Sequence, residues 1–476
     1  MRKLTVFHTN DIHSHFDRMP RIASAFRTLG RELHEDERLI VDCGDHFDRM
    51  RIETEGTDGL ANIDVMNATG YEAFVIGNNE GLTYTPDLLR ETFGNARFAI
   101  IGSNVRETAT GLAPSWMKPY HIVRKAGLRI GLIGVTADFT DFYRLLGWEL
   151  DDPLLTTQRL VRELRPQTDL LLVMSHLGLA RDKQMAELVP GIDAIMGGHT
   201  HHLLEDPLVV GDTVIAAAGK FGQYVGMLTF AFDPDSRRAS YVSGGCRDVS
   251  DFPESEEILA LIDSHASLSR VKLARTVTTL AAPLAADYRR ESVLGNMLAA
   301  GLREWTNAEI GIVNAGQFIA GLPAGVVTDA MLHTICPSPI NPCRMMLSGE
   351  NIRLAIEEAL LSEFVELPIR GFGFRGDRLG TLCLDGAEVH YAPDGPPMRK
   401  TTRIAIGGED LIPEKEYAVG TIDMFTFGIG YRSLQAGRDI RYYLPEFIRD
   451  VLRERLVEPD ARSKSMRPRW HKHTLR

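Results

Sequence analysis

The sequence predicts an α/β N-terminal domain followed by an α+β C-terminal domain. Three observations carry this. Short apolar runs alternate with amphipathic stretches as far as about residue 250, the alternation then breaks down, and 476 residues exceed one core at roughly 100–200 residues per domain. Runs at 4–7, 39–41, 73–76, 98–101, 130–135, 170–174, 194–196 and 213–216 each end at polar or glycine residues, as strands buried on both faces do. Between them, Ile22, Ala25, Phe26 and Leu29, and later Leu160, Val161 and Leu164, recur at helical spacing. No element is assigned between 217 and 250. From 251 to 274, Pro253 suits a first helical turn, and Ile258, Leu261, Ile262, Leu268 and Val271 predict a linker helix. The second domain, 275–460, combines a helix carrying Leu354, Ile356, Ala359 and Leu360 after Ser348-Gly349 with strands at 381–384, 389–391 and 403–406. Residues 461–476 are basic and lack an apolar period, so a frayed tail is expected there.

Hydrophobic residues make up 44% and charged residues 25%, which excludes collagen-like, low-complexity and wholly disordered classes. Lys and Arg number 53 against 64 Asp and Glu, a formal net charge of −11. That balance argues against nucleic acid or an anionic membrane as the main partner, since both demand clustered positive charge. A small anionic substrate remains compatible, because a metal ion can supply local positive charge. The apolar stretch 4–7 ends at His8, short of the roughly 7–15 residues in the apolar core of a secretory leader. No run approaches the ~18 residues of a membrane span. Five cysteines (Cys43, Cys246, Cys336, Cys343, Cys383) are scattered without a C-x-x-C pair, so a cytoplasmic protein is expected.

The chemistry gathers where strands end. Asp11-Ile12-His13, Asp42-Cys43-Gly44-Asp45 and Gly77-Asn78-Asn79-Glu80 follow the first three strands, Ser175-His176 closes 170–174, and Gly197-Gly198-His199-Thr200-His201 closes 194–196. In α/β sheets, ligands collect beyond the carboxyl ends of the strands, so five separated segments can meet in one site. Imidazole nitrogens and carboxylate oxygens suit borderline divalent ions. D-x-H and H-x-H set two donors on one side of an extended chain, and a shared carboxylate can hold two ions about 3.5–4 Å apart for hydrolysis. His8, inside the first strand, is expected to be a packed core residue, and His34, in a charged segment, a solvated one.

These motifs, "FHTNDIHSHF", "VDCGDHF", "VIGNNE", "MSHLG" and "MGGHTHH", resemble the calcineurin-like metallophosphoesterases, and within them the 5'-nucleotidase group. The resemblance implies a four-layer α/β/β/α catalytic domain over 1–250. Asp11 and His13 would be ligands of a first metal, Asp45 the bridge, Asn78, His176 and His199 ligands of a second metal, and His201 a further ligand of the first. Two divalent ions (Mn, Zn, Fe, Ni or Co) are implied as cofactors. The family usually has His where this chain has Asn79, which is left as a phosphate contact, since an amide donates a hydrogen bond but is no general acid near neutral pH. His46 is a candidate replacement acid, with His15 and His202 behind it. Between about 291 and 361, "ESVLGNMLAAGLREW", "IVNAGQFIAGLPAG", "CPSPINP" and "LSGENIRLAIEEAL" resemble the family's substrate-binding domain. There the usual N-x-G-G-I-R reads Asn314 to Ile319, and P-F-x-N reads Pro337 to Ile340. Asn314 and Phe425 are the candidate substrate contacts, with Phe427 a further aromatic. The implied function is hydrolysis of a small phosphorylated metabolite, a nucleotide first of all. A phosphodiesterase or pyrophosphatase is the alternative enzyme, and a catalytically weak metal-containing binding or regulatory protein the alternative of another class.

Overall fold

The structure is a computed structural model that describes residues 2–233 and 238–473. The chain divides into two compact units, Met1–Ser269 and Arg270–Arg476.

The first unit is built on two six-stranded sheets. One runs Arg238–Asp248, Tyr224–Asp233, Arg2–Thr9, Arg38–Asp42, Ala73–Val75, Ala99–Ile101; the other runs Leu208–Val210, Thr213–Ala217, Ala194–Gly197, Leu170–His176, Leu128–Thr136, His121–Lys125. Alternate residues of both sheets share one core: Leu4, Val6, Leu39 and Val41 from the first meet Leu128, Ile130, Leu172 and Met196 from the second. Each sheet's other face is covered by helices. Phe26 of Met19–Leu29 lies against Phe7, and Leu160 and Leu164 of Pro153–Leu164 join Ile133, Val173 and Ile195. Two sheets between two helical layers make the four-layer α/β/β/α arrangement, and each of the eight apolar runs falls on a strand.

The stretch 217–250, to which the sequence assigned nothing, forms a long antiparallel pair, Tyr224–Asp233 and Arg238–Asp248. The second of these is a polar edge strand with two glycines, Gly244 and Gly245, so it carries no apolar signal of its own. The linker helix begins at Glu256 and ends at Lys272. Pro253 therefore precedes the helix rather than opening it. Its buried residues Ile258, His265, Ala266 and Ser269 pack within the first unit: His265 Nε2 is 3.0 Å from Asp64 Oδ2, and Ser269 fills the space where a Cβ on Gly56 would stand.

The second unit pairs a five-stranded sheet (Leu382–Asp385, Ile310–Asn314, Glu416–Ile422, Pro342–Ser348, Arg438–Tyr442) with a four-stranded one (Glu409–Asp410, Thr401–Ile406, Ala387–Tyr391, Trp470–Lys472). Helices Val293–Trp305, Gly349–Ala359 and Ile448–Leu456 contribute to its core. Ser348 caps Gly349–Ala359, its hydroxyl accepting from the Asn351 N–H at 3.3 Å.

The expectation of a frayed tail is corrected as far as residue 473. Residues Ala461–Ser465 form a helix, and Trp470–Lys472 is a strand parallel to Ala387–Tyr391. Three distant anchors hold it: the Arg469 guanidinium donates to Asp385 at 2.7 Å, the Arg469 N–H to Glu291 at 2.9 Å, and Trp470 Nε1 to the Leu382 carbonyl at 3.1 Å. Such partners are invisible to local periodicity.

Candidate metal centre

Asp11 and His13 follow strand Arg2–Thr9, Asp45 follows Arg38–Asp42, and Asn78 opens helix Asn78–Thr83 just after Ala73–Val75. These three strands are parallel neighbours, so their carboxyl ends lie side by side. In the second sheet, His176 ends Leu170–His176, and His199 and His201 follow its parallel neighbour Ala194–Gly197. Backbone bonds lock the loops together. The N–H groups of Asp11, His13 and Ser14 donate to the carbonyls of Gly44, Asp45 and His46 at 2.8–2.9 Å, and the His199 N–H donates to the Asp11 carboxylate at 3.0 Å, joining the ends of the two sheets.

The chain is strained where these residues cluster. Asp11 (φ 52°), His13 (48°), Asp45 (54°), His199 (73°) and His201 (58°) all take left-handed backbone angles, as does Ser14 (51°). Each costs on the order of 1–3 kcal/mol outside glycine, and such residues persist where surrounding structure over-determines them.

The side chains converge. His13 Nε2 lies 3.2 Å from His201 Nε2 and 3.8 Å from Asp11 Oδ1, and His201 Nε2 lies 3.4 Å from Asp11 Oδ1. On the other side His176 Nε2 is 3.3 Å from Asp45 Oδ1, and His199 Nδ1 is 2.9 Å from Asn78 Oδ1. Asp45 stands between the two groups, its Oδ1 toward His176 and its Oδ2 3.9 Å from His13 Nε2. Two sets of donors, Asp11/His13/His201 and Asp11/Asp45/His176, each gather within 4.8 Å. The His176 Nδ1–H donates to the Cys43 carbonyl at 2.8 Å, and Nε2, 3.3 Å from Asp45 Oδ1, is buried and makes no well-directed hydrogen bond among the described residues. An orphaned imidazole nitrogen among carboxylates fits a divalent cation.

Charge follows the same logic. Burial opposes ionisation of Asp45, but His176, His13 and the Asn79 N–H outweigh it and hold the carboxyl well below its usual range. Burial opposes charge on His176 too, yet Asp45, Asp11 and the Cys43 carbonyl raise it to about 10. His199 goes the other way, down to about 4, through burial and the nearby His176.

Two supporting residues, Asn10 and Asp48, escaped the sequence reading, and a third, Glu80, stood in one of its clusters without a role. Asn10 donates to Asp11 Oδ2 and to the Gly219 carbonyl, both at 2.7 Å. The Asp48 carboxylate sits 3.6 Å from His13 Nδ1, too far for a direct hydrogen bond but close enough for its negative charge to act on the ring. Its D-x-x-D spacing from Asp45 was the available signal. Glu80, fully buried, accepts the N–H groups of Asp45 (3.1 Å), Phe47 (2.8 Å) and Gly77 (2.7 Å), and so ties the Asp45 loop to the Asn78 loop.

Other expected residues are placed differently. The Asn79 amide nitrogen turns to the chain itself, 3.0 Å from both the Phe47 carbonyl and His13 Nδ1, while its N–H donates to Asp45 Oδ1 at 2.8 Å. It props two cluster residues instead of facing outward for a phosphate. His46 is fully buried, with the Asn62 amide at Nδ1 and no hydrogen-bond partner at Nε2 among the described residues. Burial pushes it to about 3, so it carries no imidazolium proton near neutral pH to give a leaving group. His15 lies on the Phe221 ring at 4.3 Å, and His202 meets the Thr200 hydroxyl at 2.8 Å. Asn314 is buried, donating to the Leu379 carbonyl at 2.7 Å and accepting from Gln317 at 2.9 Å. Phe425 is a core residue edge-on to Tyr431, so no ligand can stack on it. Phe427 is exposed and pairs with the exposed Phe372, centroids 6.1 Å apart. His8 is fully buried with no partner at either nitrogen among the described residues, and His34 is exposed.

Comparison with known proteins agrees with this architecture. The sequence profile of the calcineurin-like phosphoesterases matches residues 4–203, and that of the 5'-nucleotidase C-terminal domain matches 273–435. The chain is 37% identical over 460 residues to YunD of Bacillus subtilis (strain 168), named an uncharacterized metallophosphoesterase, covering 96% of this chain and 99% of that one. It is 25% identical over 416 residues to the 5'-nucleotidase of Rattus norvegicus, covering 75% and 72% of the two chains. Among solved structures, the Haemophilus influenzae NAD nucleotidase (NadN) shares the fold, with a TM-score of 0.71 at 16% identity over 99% of both chains. The chain thus belongs to the calcineurin-like phosphoesterases that carry a 5'-nucleotidase C-terminal domain, metal-dependent hydrolases of phosphate esters.

Proposed function

We propose that the protein is a two-metal phosphoesterase acting on nucleotides. In this reading Asp11, His13 and His201 hold one divalent ion, Asn78, His176 and His199 hold the other, and Asp45 is shared. The observation that carries it is the Asp45 carboxylate, whose two oxygens face opposite halves of the cluster, 3.3 Å from His176 Nε2 and 3.9 Å from His13 Nε2. The mixed nitrogen and oxygen donors suit Mn, Zn, Fe, Ni or Co. When bound, such ions supply Lewis acidity to the phosphoryl group and to the attacking water. The chain's own contribution is orientation: the Cys43 carbonyl holds the His176 Nδ1 proton, Asp48 faces His13 Nδ1, and Glu80 pins the two loops that carry Asp45 and Asn78. The nucleotide preference rests on the C-terminal domain's family and on the exposed Phe372–Phe427 pair, whose faces suit a planar base. The five free cysteines support a cytoplasmic setting.

The amide at position 79 favours a second reading for the scissile bond. No proton donor occupies that place, so diesters and anhydrides with good leaving groups would be cleaved better than alkyl monoesters. Metal content and turnover of AMP, a simple alkyl phosphate, p-nitrophenyl phosphate and bis-p-nitrophenyl phosphate, with Mn²⁺ added, test both. Two bound equivalents, falling in Asp45→Asn together with activity, support the two-metal reading; full metal content in Asp45→Asn overturns it. A kcat/KM on AMP no greater than that on the simple alkyl phosphate, whose leaving group is equally poor, overturns the nucleotide assignment.

A further inference from the structure

We propose that Glu388, His390, His471 and His473 form a second site, in the C-terminal unit, for a borderline divalent cation of the zinc or nickel type. Such a cation would clamp the last strand to its sheet. The residues come from two parallel strands in register: His390 of Ala387–Tyr391 is paired with His471 of Trp470–Lys472. Paired residues share a face, and side chains alternate with period two, so Glu388, His390, His471 and His473 all lie on the side opposite the buried Val389. The Lys472 side chain alternates away.

The imidazoles form a stack. The His390 ring lies 4.8 Å from His471 and 5.0 Å from His473, at 24° and 13° between planes. His390 Nδ1 and His473 Nε2 are 2.7 Å apart, so at most one of those two atoms carries the proton between them. Donor atoms of Glu388, His390 and His471 lie within 4.8 Å of one another. A tetrahedral ion with bonds of about 2.0–2.1 Å asks for donors roughly 3.3–3.5 Å apart, within reach of rotamer changes in the half-buried His390 and His471 and the exposed Glu388 and His473. Three imidazoles and one carboxylate complete four ligands without a cysteine, a set that selects borderline ions over Mg²⁺ or Ca²⁺. The cation facing this group from the neighbouring strand is Arg403, opposite His390, and its Nε donates to Asp410 at 2.6 Å, which offsets its charge.

The test uses the full chain, stripped by chelator and re-equilibrated with Zn²⁺ alone, with zinc counted by mass spectrometry. The parent is expected to hold one equivalent more than His471→Gln and than the double variant His390→Ala/His471→Ala, with phosphoesterase activity equal in all three. Because the count is a difference, it is independent of how many ions the N-terminal centre takes. Hydrogen exchange of residues 469–473 gives a second readout: at ten times the dissociation constant, zinc should slow exchange about tenfold in the parent and not in the variants. Hydrogen exchange of 469–473 that is equal in the zinc-free parent and the zinc-free variants shows that the strand itself persists. Equal zinc content in the parent and both variants overturns the proposal and leaves a hydrogen-bonded histidine stack, as does an extra equivalent that survives His471→Gln.

Discussion

Asp48 acts on His13 through the ring nitrogen that faces away from the cluster. Asp48→Asn keeps the shape and removes the charge, so metal affinity should fall about 10–100-fold, the usual effect of losing an orienting partner; isothermal titration with Mn²⁺ measures it. His8 makes the contrast. Burial lowers it to about 4 from an ordinary 6.5, so its contribution to stability is present above pH 6.5 and fades as pH falls through 4. In His8→Met that acid-side loss should shrink, and stability near pH 7 should hold or rise by about 1 kcal/mol as two unpaired nitrogens leave the core. Thermal unfolding against pH checks both, with metal content unchanged. The roles of His8 and His34 were legible because each depends on its own segment. Those of Asn79, His46 and Phe425 were not, because whether a side chain faces a site or the core is decided by strands far away in sequence.

In the first unit elements were legible where they were short and apolar, whereas in the second the buried strands Ile310–Asn314, Pro342–Ser348 and Glu416–Ile422 went unassigned. The eight parallel or near-central strands announced themselves, while the edge strand Arg238–Asp248 and the final strand Trp470–Lys472 owe their pairing to partners elsewhere in the chain. Glycine at the strand–helix junction before Asn78 is a further case. Gly77 has ordinary backbone angles (φ −92°, ψ −173°), so conformation does not demand it; space does, since a Cβ there would stand 2.1 Å from Asp45 Oδ1. Gly77→Ala should therefore fold yet lose metal and activity together, by at least about tenfold in affinity, the lower end of what displaced support for a ligand costs. Metal analysis beside circular dichroism distinguishes that outcome from simple unfolding.

For the molecule as a whole, the division into two units makes stability a property to be read unit by unit. In the second unit, burial raises Asp423 to about 7 from an ordinary 3.8, its carboxylate accepting the Asn341 N–H at 3.2 Å. A carboxyl whose folded value is raised stabilises fully below about pH 4, and that contribution is lost as pH climbs through 7. The second unit should lose on the order of 3–4 kcal/mol across that window, and Asp423→Asn should flatten the profile; calorimetry from pH 4 to 8 tests it.

The N-terminal cluster draws its donors from the ends of two sheets, and His13 and His201, 3.2 Å apart, are separated by 188 residues of chain. Closing so long a loop costs chain entropy before any contact between the donors repays it, and the donors are expected to meet after the rate-limiting barrier. Added Mn²⁺ should then leave the refolding rate of the chain nearly untouched while slowing unfolding in proportion to the stability gained. In stopped-flow chevrons the unfolding arm should drop with metal and the refolding arm should stay. A refolding arm that rises with Mn²⁺ would mean that the two sheets meet early. The ion, on this account, arrives as a latch on a finished scaffold and lengthens the lifetime of the native state without hastening its birth.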